Sequence, residues 1–270
     1  MTEHEKLFAG SIPKFYDSLM VPLIFEVYAT DLAELVASTS PGTVLETAAG
    51  SGVLTRALAP RLCADARYVV TDLSQPMLDF AAARQGSDGR ITWKQADALN
   101  LPFEDATFDV VCCQFGAMFF PDRVAGYAEA RRTLKPSGRF IFNVWDRIED
   151  NAFADDVTRA VATLFPDDPP DFLPRTPHGY HNVELIRTEL SQAGFANIEI
   201  ETRAKTSYAA SARDAATAYC LGTPLRGEIE ARDSSLLQQA IDRATDAIAL
   251  RHGDGSVVGK LQAHIVVAAG

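Results

Sequence analysis

Val44-Leu45-Glu46-Thr47-Ala48-Ala49-Gly50-Ser51-Gly52 is the stretch whose reading decides the fold of this 270-residue chain. Thr43-Val44-Leu45-Glu46 reads as a short strand. The next residues are small, and Val53 to Leu62 carries helical spacing. Small residues let a backbone approach a ligand closely, and glycine permits the positive φ that a tight turn needs. A helix that follows such a loop presents its N-terminus beside the ligand. The dinucleotide fingerprint G-x-G-x-x-G is not met, because Val53, Leu54 and Thr55 follow Gly52 with no third glycine. A second ligand-loop pattern, acidic-x-G-x-G-x-G, is met by Glu46, Gly50 and Gly52, with Ala48 standing where the first glycine is usual. A tight turn with no ligand remains open on the loop alone.

Working outward, a regular alternation appears. Strands are expected at Arg67–Thr71, Arg90–Lys94, Phe108–Gln114 and Arg139–Trp145, with helices at Gln75–Gln85 and Arg123–Leu134. Gly86-Ser87-Asp88-Gly89 and Lys135-Pro136-Ser137-Gly138 are turn signals between them. Strands alternating with helices predict an α/β fold, a doubly wound, mostly parallel sheet covered on both faces. Upstream, Ile24, Tyr28, Leu32, Leu35 and Val36 recur at helical spacing. After Trp145 the rhythm changes. Asn151–Phe165, His181–Ala193, Ala212–Cys220 and Glu228–Leu250 read as helices; Ala196–Thr202 and His264–Ala268 read as strands. With no repeat and no convincing linker, the expectation is one domain over 1–270, with a helical lid over 1–40 and cap insertions over 151–180 and 208–259.

Two further acids fall at the expected strand ends. Asp72 follows the second strand, where a carboxylate can accept both hydroxyl protons of a ribose. Asp97 follows the third, where a carboxylate can accept from an exocyclic adenine amine. Ligands of open parallel sheets sit outside the carboxyl ends of the strands. Each aspartate alone also reads as a turn residue bonded to its own backbone.

Together these motifs resemble class I S-adenosylmethionine (SAM)-dependent methyltransferases. The resemblance runs through Val44 to Gly52, Asp72-Leu73-Ser74, Asp97-Ala98-Leu99 with Leu101-Pro102-Phe103, and Phe108-Asp109-Val110-Val111. Leu134-Lys135-Pro136-Ser137-Gly138-Arg139-Phe140 resembles the family's turn into its fifth strand. The branch most resembled is that of the ubiquinone/menaquinone-biosynthesis methyltransferases and their bacterial relatives. Phe8-x-Gly10-Ser11-Ile12-Pro13-x-x-Tyr16-Asp17, Gln114 to Asp122 and Gly222-Thr223-Pro224-Leu225-Arg226 carry the likeness beyond the central motifs. The resemblance implies a seven-stranded, Rossmann-like sheet whose last strand is antiparallel. It also implies SAM as cofactor and S-adenosylhomocysteine (SAH) as product. Glu46 and the backbone at Ala48, Gly50 and Gly52 would hold the methionine moiety. Asp72 would bind the ribose, with Leu73 and Met77 beside the adenine. Asp97 and the backbone of Ala98 would bind the adenine edge. Gln114 and Phe115 would line the methionine end, and Tyr16 would fold over the cofactor.

Such chemistry needs no nucleophile on the enzyme, and a general base only when the acceptor must lose a proton. His178, Tyr180 and His181 are the candidates for that base; a surface turn is the alternative for all three. Met118, Phe119 and Phe120 read equally as acceptor pocket or as core. The net charge of -11 disfavours a nucleic-acid substrate, which calls for a basic surface. The expected partner is a small-molecule methyl acceptor. No run is long enough to span a membrane. Cys63, Cys112, Cys113 and Cys220 form no C-x-x-C pair, and buried thiols in a reducing cytoplasm are expected, with no metal. A nicotinamide-dependent oxidoreductase and a non-catalytic SAM-binding protein are the alternative functions. No oligomeric state is legible.

Overall fold

The computed structural model describes residues Tyr16–Gly270. The N-terminal motif residues Phe8, Gly10, Ser11, Ile12 and Pro13, and with them most of the first half of the expected lid, lie outside the described residues.

Seven strands form one sheet: β1 (Thr43–Glu46), β2 (Arg67–Asp72), β3 (Ile91–Gln95), β4 (Phe108–Gln114), β5 (Leu134–Trp145), β6 (Asn197–Ala209) and β7 (Val257–Ala269). Their order is β3-β2-β1-β4-β5-β7-β6. β1 runs parallel to β2 and β4, β2 to β3, and β4 to β5. β6 and β7 run in opposite senses: Ala196 N–H donates to the Ala269 carbonyl at 3.1 Å, and the Thr202 hydroxyl meets His264 Nδ1 at 2.9 Å. The fold class expected from the sequence, with its antiparallel last strand, is therefore the one observed. The central strands are apolar at consecutive positions because both faces are covered; Val44, Leu45, Val110, Val111, Cys112 and Cys113 are all buried. Chain order reverses between β1 and β4, which makes the carboxyl ends of these two strands the switch point where open α/β sheets bind ligands.

The chain gathers into two compact units. One comprises 26–144, 180–203 and 263–270; the other comprises the residues up to Phe25, 145–179 and 204–262. The first, the sheet unit, adds α1 (Glu26–Ala37), α2 (Val53–Leu58), α3 (Gln75–Gln85), α4 (Arg123–Thr133) and α6 (Val183–Gln192). The second, the helical unit, is built around α5 (Ala152–Ala162), α7 (Ala212–Gly222), α8 (Leu225–Asp233) and α9 (Leu237–His252). Its core follows helical spacing: Ala240, Ile241, Ala244 and Ile248 bury one stripe of α9.

Several boundaries differ from the sequence reading, each for a local reason. The helix expected over Val53–Leu62 ends at Leu58, because Pro60 lacks the N–H that would continue it and a tight turn over Ala59–Arg61 follows. The single helix expected over Glu228–Leu250 is two helices. Asp233 Oδ1 accepts from the Ser235 N–H at 2.9 Å and its hydroxyl at 2.6 Å, a local bond that competes with helix propagation. β6 and β7 are each 13 residues long, well beyond the expected segments.

Candidate cofactor site

The loop after β1 is stitched to both neighbouring strands. Thr47 N–H donates to the Cys112 carbonyl of β4 at 2.9 Å, and Ala49 N–H to the Thr71 carbonyl of β2 at 3.0 Å. Three of its residues take left-handed backbone: Ala48 at φ 52°, Gly50 at 55° and Gly52 at 77°. A side chain on Gly52 would stand 2.9 Å from Ala81 Cβ of α3, so glycine is required there by packing as well as by φ. A side chain on Gly50 would meet nothing within 4 Å, so the loop leaves open space at that glycine. Ser51 is buried and its hydroxyl has no hydrogen-bond partner among the described residues.

The structure also accounts for the alanine at position 48. A methyl group on Gly116, just past β4, would lie 2.5 Å from Ala48 Cβ and 2.8 Å from Cys113 Sγ. The Ala48 methyl thus occupies room that the bare backbone of Gly116 leaves free. The left-handed alanine still carries strain of about 1–2 kcal/mol relative to glycine.

Glu46 closes β1 and is buried beneath this loop. Its Oε2 accepts from the Tyr68 hydroxyl and from the Thr55 hydroxyl, the latter at 2.7 Å. Burial outweighs these two bonds, and its carboxyl is pushed up from 4.5 to about 7, with the Asp72 charge adding to the rise. The neighbouring Cys112 thiol is likewise raised by burial and by Glu46, and that of Cys113 is pushed up to about 12, so both stay protonated.

Asp72 links the loop to the end of β2. Its Oδ2 accepts from Gly50 N–H at 2.8 Å, and its Oδ1 accepts from Ser74 N–H at 2.8 Å. Both are bonds from backbone N–H groups to the carboxylate. Leu73 is half-buried; its carbonyl accepts from Gln95 Nε2 at 2.7 Å. Met77 is buried at the start of α3. Asp97 is exposed at the end of β3, with Oδ1 accepting from Leu99 N–H at 2.9 Å, and Ala98 is half-buried beside it. Arg132 fixes the segment that follows: it donates to the carbonyls of Leu101 and Phe103 and pairs with Asp105 and Glu129. Gln114 and Phe115 end β4 at the switch point. Phe115 is buried and left-handed at φ 49°, with its ring edge-on to Tyr28 at 5.5 Å.

The sheet unit therefore brings together Glu46, Ala48, Gly50, Gly52, Asp72, Leu73, Met77, Asp97, Ala98, Gln114 and Phe115 at the carboxyl ends of β1 to β4. Tyr16 belongs to the helical unit, where its ring lies 5.0 Å from that of Phe25. The base candidates separate in character. His178, in the helical unit, donates from Nδ1 to the Asp146 carbonyl at 2.8 Å. Tyr180 is buried in the sheet unit, donates to Glu189 at 2.5 Å and accepts from Tyr127 at 3.1 Å. Burial and the Glu189 bond raise its phenol further above the ordinary range, so it acts as a structural tie rather than a proton acceptor near neutrality. His181 is half-buried and its carbonyl accepts from His264 Nε2 at 3.0 Å. Met118 is buried and Phe119 and Phe120 are half-buried. Among the described residues no cluster of His, Cys, Asp or Glu has metal-binding geometry. Sequence reasoning missed Ser51, Gly116 and Asn143. Asn143 gave no signal, since a single polar residue in an apolar strand reads as nothing in particular.

Residues 45–142 match the family described as "Methyltransferase domain". Over that stretch the chain carries a methyltransferase domain. A demethylmenaquinone methyltransferase of Clavibacter sepedonicus is 37% identical to it over 106 residues, which are 39% of this chain and 42% of that protein. The chain thus spans less than half the length of such curated relatives. Among solved structures, the YcgJ protein from Bacillus subtilis superposes with a TM-score of 0.56 at 19% identity, over 88% of this chain and 97% of that one. The [4+2]-cyclase SpnF superposes with a TM-score of 0.53 at 17% identity, over 89% of this chain and 80% of that one. The methyltransferase domain's fold therefore does not by itself fix the reaction.

Proposed function

We propose that this protein transfers the methyl group of SAM to a small-molecule acceptor and releases SAH. The observation that carries the reading is the Asp72 carboxylate bonded to Gly50 N–H beside open space, at the switch point of the sheet. The residues present suit the cofactor: a left-handed small-residue loop, a ribose-facing acid and a buried carboxylate under the loop.

SAM supplies an electrophilic methyl group on a sulfonium. Glu46, when ionised, attracts the cationic methionine end from beneath the loop. The Gly50 and Gly52 backbone gives close approach, and Asp72 accepts from the ribose hydroxyls. Asp97 and the Ala98 backbone take the adenine edge, with Leu73 and Met77 giving apolar contact. Gln114 and Phe115 stand at the methyl end. Orientation and exclusion of water are what the protein contributes to such a displacement. Where an acceptor must lose a proton, His178 and His181 are the candidate bases. The quinone-ring acceptors named for the relatives make an aromatic or quinone-like carbon the first acceptor class to try. Segments 151–180 and 208–259 contain none of the cofactor motifs, and we assign them to acceptor selection. A cytoplasmic location fits the unpaired cysteines; among the described residues no helix is long and apolar enough to cross a membrane.

The test is transfer of labelled methyl from SAM to a panel of demethylated quinols, phenols and amines. Labelled product from one class establishes the activity and the acceptor together. SAH binding with no transfer to any class would favour a SAM-binding protein without methyl transfer; binding of NAD in place of SAH would return the oxidoreductase reading.

A further inference from the structure

Asn143 lies on β5 as the register partner of Gln114. It is wholly buried. Its Oδ1 accepts from Phe115 N–H at 2.9 Å, and its own main-chain carbonyl accepts from the same N–H at 3.2 Å. Its Nδ2 has no hydrogen-bond partner among the described residues. A buried amide with an unsatisfied donor lowers stability, so stability gives no reason for asparagine here; an aliphatic residue of similar volume would serve better. What asparagine adds is an acceptor aimed at one N–H.

That N–H belongs to a strained residue. A bulky aromatic at φ 49° persists only where its surroundings over-determine it. Here the two hydrogen bonds from its N–H to Asn143 and the ring contact with Tyr28 do so. The left-handed turn at Phe115 aims the next residue, Gly116, onto Ala48 and Cys113. Asn143 is therefore connected to the cofactor loop through three consecutive contacts: Oδ1 to Phe115 N–H, Phe115 to Gly116 along the chain, and Gly116 against the Ala48 methyl.

We propose that Asn143 is a positioning residue: by fixing the left-handed turn at Phe115 it seats Gly116 against Ala48 and so sets the geometry of the cofactor loop. This rests on the reading of that loop as a SAM site. The experiment compares Asn143→Leu with wild type, alone and in a Phe115→Gly background, by calorimetry with SAH, thermal unfolding and amide hydrogen exchange. Leucine removes the acceptor and the orphan donor together and keeps the Phe115 N–H bonded to the main-chain carbonyl. Asn143→Leu is expected to melt no lower than wild type yet to bind SAH about tenfold more weakly, as a loop loosened by a fraction of an ångström should. Exchange should quicken at Ala48–Gly50 and Phe115–Ala117. In the Phe115→Gly background, where glycine holds the turn unaided, the same change should cost less than about twofold. Unchanged affinity and exchange in Asn143→Leu, or an equal loss in both backgrounds, overturns the proposal. The exchange measurement needs no ligand, so failure of wild type to bind SAH would count against the SAM site while Asn143 is still decided by exchange.

Discussion

The two units of this protein both bury polar side chains and both pair charges, but they differ in backbone strain. In the sheet unit, buried polar atoms and strained backbone collect at the carboxyl ends of the strands: Glu46, Ser51 and Asn143 are buried, and Ala48 and Phe115 are left-handed without being glycine. In the helical unit Asp146, Asn151, Asp155 and Asp156 are buried, and several charges are paired. Asp156 binds Arg251 and His252, Asp168 binds Arg232, Glu228 binds Arg175, and Asp150 binds both Arg147 and Lys260. All four non-glycine residues with positive φ among the described residues lie in the sheet unit. Strain and buried polarity lower stability, and they persist where surrounding structure holds a site in place. Ala48 and Phe115 lie just past the carboxyl ends of β1 and β4, where the proposed cofactor site is, whereas Ser40 and Ala106 precede those strands.

Substitutions sharpen that contrast. The largest effect is expected for Gly52→Ala, which adds a methyl 2.9 Å from Ala81 Cβ at φ 77°. Overpacking and left-handed strain together should lower stability by about 2–5 kcal/mol, read in denaturant unfolding. Next is the pH dependence of Glu46. Its folded carboxyl titrates near 7 against 4.5 for the free group, so the folded state binds the proton more tightly. Its contribution is fully present below pH 4.5 and is lost as pH rises through about 7, a change of order 3 kcal/mol. Thermal unfolding across pH 4 to 8 should show this decline, flattened in Glu46→Gln. A slope unchanged by that substitution would remove Glu46 from the account of the site.

Gly116→Ala should lower stability by about 1–3 kcal/mol, and adding Ala48→Gly should recover the part due to the Ala48 methyl, leaving the contact with Cys113 Sγ. The smallest effect belongs to the helical unit. Asp156→Asn should lower stability by about 1 kcal/mol through loss of its Arg251 and His252 partners, with SAH affinity unchanged. If it weakened SAH binding as strongly as the strand-end changes, the contrast between the units would fail.

Much of the sheet unit was legible in the sequence because its signals are local. Consecutive apolar residues give doubly covered strands, Gly50 and Gly52 give the turn, and Asp72 and Asp97 fall where strands end. The register with β4 was not legible. Ala48 looked like a defect in the loop until Gly116 supplied the space for its methyl, and the two are 68 positions apart in the chain. Asn143 was invisible for the same reason: its meaning lies in the neighbouring strand. In the helical unit, the break at Ser234–Leu236 depends on one aspartate side chain, and the length of β6 and β7 was hidden by Lys205, Gly259, Lys260 and Gln262, which interrupt the apolar pattern.

The central claim is that the strand ends of the sheet unit form a SAM site, and calorimetric titration with SAH of wild type and Asp72→Ala tests it most directly. The account predicts saturable binding by wild type and a loss of roughly 1.5–3 kcal/mol in the variant, the worth of bonds to a charged group. No binding by wild type, or equal binding by both proteins, would contradict it.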